Sequence, residues 1–221
     1  MNLRNYLKNN FPSLQLYGYV EKQTLTVRLS NYFTDDEEYI SDCYHKALWL
    51  FEHFFHPQDD VILVVNVYQE KNTDVLMRPR LRNYMKSKSL MKKLNCIRTD
   101  GEEADSTIFD ENEVIMHYYL CCKVKEINYK KLLLHLCQHE VCSDLRPRIK
   151  PMNDYFIIHK KEKVCFRMLD DRDADLIFND LKLKDEWGKK EFESMNLLSF
   201  KRWQLFNKLQ LDIINYRNHF K

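Results

Sequence analysis

With three glycines and five prolines in 221 residues, the chain is poor in the residues that build linkers and fibrous repeats. Glycine is too scarce for a phosphate-cradling loop, and neither the P-loop nor the dinucleotide-binding glycine pattern occurs. The serine elbow of α/β-hydrolases is missing as well. No charge of one sign dominates: 35 Lys and Arg face 33 Asp and Glu, a net of +2, so no global basic field demands nucleic acid. Long apolar runs are lacking. The longest, Val61–Val67, is broken by Asn66 and falls far below the roughly 20 residues of a membrane span. Met1–Phe11 has asparagines where a signal peptide would carry its apolar core. Seven cysteines, odd in number and scattered, read as reduced thiols rather than a disulfide frame. The content of 44% hydrophobic and 13% aromatic residues is too high for a disordered chain. The expectation is a cytoplasmic α+β protein that needs no cofactor.

Periodicity divides the chain. Leu3, Leu7 and Phe11 suit a short amphipathic helix before Pro12, and Leu14–Val20 with Thr24–Leu29 read as a hairpin. Thr34 and Glu37 form a capping box ahead of a long helix over Asp35–Phe55, whose apolar residues recur at three- and four-residue steps until Pro57. Val61–Tyr68 is nearly continuous and β-branched, which predicts an interior strand covered on both faces. Val114–Val124 predicts a long strand, and Tyr129–His139 a helix capped by Asn128. Tyr155–His159 and Val164–Leu169 predict a second hairpin, Asp173–Asn179 a short helix, and Leu183–Phe192 another helix interrupted at Gly188. From Ser199 a regular stripe through Phe200, Trp203, Phe206 and Leu209 predicts a C-terminal helix. The resulting architecture is a mainly antiparallel sheet with helices packed on it, residues 1–187, and a C-terminal helical extension, residues 188–221.

Three stretches resemble a bacterial family known as domain of unknown function 3885: Tyr44–Tyr68, Tyr118–Glu140 and Tyr155–Ile177, spanning roughly Phe11–Trp187. The last holds an Asp-Asp-Arg signature at Asp170, Asp171 and Arg172. Leu169 stands where the family usually has an aromatic, and Asp173 where it usually has glycine. A prophage DNA-binding label attached to the family implies contact with nucleic acid. The habit of small bacterial domains to sit beside toxin genes implies an immunity role by analogy.

Four constellations carry chemistry. Asp170, Asp171, Arg172 and Asp175 follow a predicted strand, where carboxylates can hold a hard cation or one can act as a base. The plainer reading is a capped helix with an internal ion pair. His135, His139 and Cys142 share a helix face at four- and three-residue steps, with Cys121 or Cys122 as a further zinc ligand or the whole set as core flank. Arg78, Arg80, Arg82, Lys86, Lys88, Lys92, Lys93 and Arg98 make an acid-free basic segment with Tyr84 inside it, suited to a phosphate backbone and a stacked base. Asp100, Glu102, Glu103, Asp105, Asp110, Glu111 and Glu113 form a base-free acidic block directly after it. The two blocks read as a solvated charged face, as mutual compensation, or as two poles that direct association with a charged protein. The function expected is therefore non-catalytic: an interaction protein, of the toxin-neutralising kind, whose acidic block meets a basic partner. Nucleic-acid binding through residues 78–98 comes second, and a metal-dependent hydrolase built on Asp170–Asp175 third.

Overall fold

Every side chain from Val61 to Val67 is buried, because this run forms the middle of a sheet covered on both faces. The computed structural model describes residues 2–12, 14, 16, 23–29, 36–72, 79, 81–100, 112–139, 153–168 and 173–190. Seven strands are present among the described residues: β1 (Thr24–Arg28), β2 (Asp60–Glu70), β3 (Asn95–Asp100), β4 (Glu113–Lys123), β5 (Asn153–His159), β6 (Val164–Met168) and β7 (Asp173–Phe178). They run in the order β1-β7-β6-β5-β2-β4-β3, and each neighbouring pair is antiparallel. The α+β architecture with a mainly antiparallel sheet is therefore the one the chain adopts.

Helix α1 (Leu3–Asn10) starts at Asn2, whose side chain accepts from Asn5 N at 3.2 Å. Its Leu3 and Leu7, with Phe11, Leu14 and Leu16, cover one face, meeting Ile62, Val64, Tyr119, Phe156, Ile158, Cys165 and Ile177. Helix α2 (Asp36–Phe54) and helix α3 (Tyr129–His139) cover the opposite face. Phe51 lies 4.6 Å from Phe55, 5.4 Å from Phe166 of β6 and 4.8 Å from Tyr129 of α3, ring to ring. Helix α4 (Leu181–Lys190) begins where Asp180 Oδ1 accepts from Lys182 N at 2.9 Å. The chain falls into two compact units, Met1–Lys184 and Asp185–Lys221. No helix among the described residues is long and apolar enough to cross a membrane.

The structure corrects three local expectations and adds strand β3, which the sequence does not announce. Residues 173–178 are a strand, not a helix: Ala174 to Phe178 are all buried between β1 and β6, so no alternation marks them. Asp173 and Asp175 imitate an acidic first turn. Strand β3 lies inside a stretch without clear periodicity, because an edge strand tolerates charge on its exposed side. Helix α4 runs through Gly188 without interruption. Leu14 and Leu16 pack on the sheet outside any strand, while β1 pairs with β7. The remainder of the expected first hairpin, Thr34 with its capping box, and the stripe after Ser199 lie outside the described residues.

Candidate functional site

The basic segment has an apolar side that fixes it and a charged side that it shows. Leu81, Tyr84, Met85 and Leu90 are buried. Between them the backbone is stitched to the turn ahead of α3: Lys86 N donates to Glu126 O at 3.0 Å, Asn128 N donates to Tyr84 O at 2.7 Å, and Met85 makes a β-bridge with Ile127. Ser87 then caps a 3₁₀ helix, Lys88–Lys93, by accepting from Ser89 N at 3.3 Å. Arg82, Lys86, Lys88, Lys92 and Lys93 point outward and are exposed. The arm is thus held in one shape by its own hydrophobes while five cations face solvent. Arg78 and Arg80 lie outside the described residues.

Tyr84 does not join that charged side. Its ring packs edge-on to Tyr155 at 6.2 Å and against His135 at 5.9 Å, and only 5% of the residue is exposed. The expected base-stacking aromatic is a core residue, since its ring has more apolar surface to bury than the neighbouring cations. His135 is half-buried in the same contact. The side chain of His139, and Cys142 altogether, lie outside the described residues. No group of three metal-ligating side chains occurs among the described residues. Cys122 is buried, and burial followed by the nearby Glu126 pushes its thiol up to about 12, so it stays protonated and unreactive at neutral pH.

The arm leads into β3, one of the two outer strands of the sheet. Asn95, Cys96 and Arg98 of β3 are exposed. Arg98 Nε pairs with Asp100 Oδ1 at 2.7 Å, and Arg4 of α1 donates to the Arg98 carbonyl at 2.7 Å. Asp100 is thereby committed to its neighbour. Glu113, at the start of β4, stands directly across from Glu70. Glu102, Glu103, Asp105, Asp110 and Glu111 lie outside the described residues.

Asp175 is the described member of the signature cluster; Asp170, Asp171 and Arg172 lie outside. It sits within β7, 1% exposed, and accepts from Thr26 Oγ1 of β1 at 2.7 Å. Burial raises its carboxyl, while the Thr26 hydroxyl and Arg167 pull the other way. Asp175 belongs to a polar row that sequence reasoning does not see. The register places Thr26, Asp175 and Arg167 side by side, and likewise Asp154, Asn66 and His117. Arg167 Nη2 lies 3.5 Å from Asp154 Oδ2, and its guanidinium sits 5.1 Å above the Phe156 ring. The Tyr68 hydroxyl donates to Asp154 Oδ2, and burial, then that carboxylate, raises the phenol. Asn66 Nδ2 donates to Leu16 O, so Asn66 Oδ1 is left to accept from His117 Nδ1 at 2.7 Å. His117 Nε2 then accepts from Thr99 Oγ1 at 3.0 Å. The signal in the sequence was a polar residue inside each buried strand: Asn66 in Val61–Val67, His117 in Val114–Leu120 and Arg167 in Val164–Met168.

Both buried imidazoles are fully occupied. Burial, with Arg4 nearby, pushes His117 down to about 4, and neither of its nitrogens has a lone pair to spare for a substrate proton. His159 Nδ1 accepts from Lys161 N at 3.2 Å and Glu162 N at 3.1 Å, which leaves the proton on Nε2, 3.1 Å from Asp59 Oδ2. Chemically, this interior locks strands together, while the five cations of the arm face solvent. No curated protein and no solved structure matches the chain. Residues 3–189 match the sequence model of one family, a span that takes in the seven strands, α1 to α3 and all but the last residue of α4, and the chain therefore belongs to the family described as Domain of unknown function (DUF3885).

Proposed function

We propose that this protein acts by binding rather than by catalysis, as a cytoplasmic interaction module. In place of the acidic block expected to meet a basic partner, of which only Asp100 and Glu113 are described, the arm Arg82–Lys93 receives an acidic surface of a protein partner. The observation that carries this reading is the division of labour along the arm. Its buried Leu81, Tyr84, Met85 and Leu90 hold the backbone, and its exposed Arg82, Lys86, Lys88, Lys92 and Lys93 are presented without first having to be ordered. Fixed cations of this kind speed association with a complementary charge and select against basic surfaces. Neutralising a toxin is the form of this function in which occupancy of the partner's acidic surface stops its action.

Nucleic acid is the second reading, supported by the same exposed cations. It loses the stacking contribution of Tyr84, whose ring is enclosed. A hydrolase built on the signature cluster draws no support from Asp175, which is held by Thr26 inside the sheet. The discriminating experiment compares the wild-type chain with the variant Lys88→Glu, Lys92→Glu, Lys93→Glu for capture from the native cell and for retardation of a 30-base-pair DNA and a 30-nucleotide RNA. The expected result is one acidic protein retained by wild type and lost from the variant, with the same unfolding midpoint for both chains. Steeply salt-dependent retardation of nucleic acid, with no protein lost, would overturn it in favour of the second reading.

A further inference from the structure

We infer that β3 accepts an extended acidic segment of the partner as an eighth strand of the sheet. This rests on the binding role of the cationic arm and adds to it the manner of recognition. Strand β3 ends the sheet, and among the described residues its ladder partner is β4 on one side only. Asn95, Cys96 and Arg98 are exposed along it, and no described strand other than β4 forms a ladder with it. An outer strand carries a row of backbone donors and acceptors that a further strand can satisfy, whatever its sequence.

Specificity for an acidic segment comes from the cations that flank this edge. Lys92 and Lys93 lie at the end of the 3₁₀ helix that leads into β3, and Asn95 Nδ2 donates back to Lys93 O at 2.8 Å, which fixes that junction. Arg98, paired with Asp100 Oδ1, lies on the face opposite Ile97 and α1, and Arg4 reaches the same edge from α1. The edge is thereby bracketed by a guanidinium on each face. Arg4 holds the Arg98 carbonyl at 2.7 Å, which discourages indiscriminate pairing with a second copy of this chain. A carboxylate on the incoming segment gives Arg4 a charged acceptor in exchange, so an acidic strand enters where a neutral one is resisted. The bonds exchanged are hydrogen bonds only.

The test uses the full chain and two ten-residue peptides of equal charge, one alternating Glu and Val, the other alternating Glu and Pro. Proline has no N–H to give to a ladder, so the second peptide keeps the charge and loses the strand. Strand addition predicts that the Glu-Val peptide binds at least about tenfold more tightly than the Glu-Pro peptide. It also slows hydrogen exchange at alternate amides of residues 95–100. The double variant Lys92→Glu, Lys93→Glu weakens the Glu-Val peptide by about tenfold, the effect of reversing two exposed charges. Equal binding of both peptides with no slowing of exchange in β3 overturns strand addition and leaves the cationic-arm reading standing. Binding of neither peptide removes both.

Discussion

His117 Nδ1 lies 2.7 Å from Asn66 Oδ1 across the β2–β4 ladder, in an interior where the imidazole is 3% exposed. Because Asn66 uses its amide N–H on Leu16 O, the proton on His117 is fixed at Nδ1, and a second proton at Nε2 would have to displace the Thr99 hydroxyl as donor. Burial pushes His117 down to about 4, against 6.5 for a free side chain. The unfolded chain therefore binds more protons than the folded one between those two values. Stability from this residue is whole above about pH 6.5 and is lost as pH falls towards 4. The full difference amounts to about 3 kcal/mol, at 1.36 kcal/mol per tenfold change in proton affinity. We expect the urea midpoint to fall between pH 7 and pH 4.5, and to fall less in His117→Gln, which cannot titrate there. Equal declines in the two proteins would refute this.

Thr26 and Asp175 join the outer strand β1 to β7 by a side-chain bond of 2.7 Å beneath the surface. Thr26→Val keeps the β-branched shape and removes only the donor. A hydrogen bond to a charged group is worth about 2 kcal/mol, and the acceptor left behind is buried. The sign with pH follows from the raised carboxyl. Its folded form holds a proton more tightly than the unfolded chain, so the penalty of the charged form is present at neutral pH and relieved as pH drops below the folded value. Urea unfolding should show Thr26→Val destabilised by about 2 kcal/mol at pH 7 and by less at pH 4. A loss unchanged across that range would mean that the hydroxyl does not serve the carboxylate.

These two bonds mark where the sequence stops being readable. Val61–Val67 declares itself as an interior strand because covering on both faces demands unbroken apolar side chains, and α2 declares itself by its 3.6-residue period. Strand β7 is just as buried, yet Asp173 and Asp175 disguise it, since a carboxylate inside a sheet is tolerable only beside partners that lie 149 residues away in the chain, as Thr26 does. Strand β3 is hidden for the opposite reason: an edge needs no hydrophobic outer side. The basic arm was visible as a run of cations. That Tyr84 turns inward was not, because its partners Tyr155 and His135 come from other elements.

Phe51 anchors the helical layer. Fully buried, it stacks on Phe55 and meets both Tyr129 of α3 and Phe166 of the sheet, so three elements converge on one ring. Phe51→Ala removes that contact and leaves a cavity, at a cost of about 3–5 kcal/mol. Glu52, beside it, accepts from the Tyr129 hydroxyl at 2.9 Å and pairs with Lys130 at 3.2 Å, but on the exposed side. Glu52→Ala should cost under about 1 kcal/mol for that reason. Chemical denaturation of both variants checks the contrast. Comparable losses would show that the α2–α3 contact is held from its surface.

The β5–β6 turn makes the last case, for it closes without glycine. Lys163 takes a φ of 52°, a region where a side chain adds strain, and Lys163 N still donates to His159 O at 3.0 Å. What holds the turn is His159, whose Nδ1 collects the N–H groups of Lys161 and Glu162 while Nε2–H reaches Asp59. Burial alone would raise the Asp59 carboxyl, yet the His56 N–H at 2.6 Å and His159 bring it below its ordinary value. His159→Ala strips two N–H groups of their acceptor and should cost about 2–4 kcal/mol. His159→Asn places an oxygen near the Nδ1 position and should recover part of that loss. Lys163→Gly relieves the strain against a larger entropy of the unfolded chain, so its net gain stays within about 1 kcal/mol. Thermal and urea unfolding of the three variants should rank them Lys163→Gly at or above wild type, then His159→Asn, then His159→Ala. If the two histidine variants are equally unstable, the imidazole acts here by packing against Phe55 and not by holding the turn.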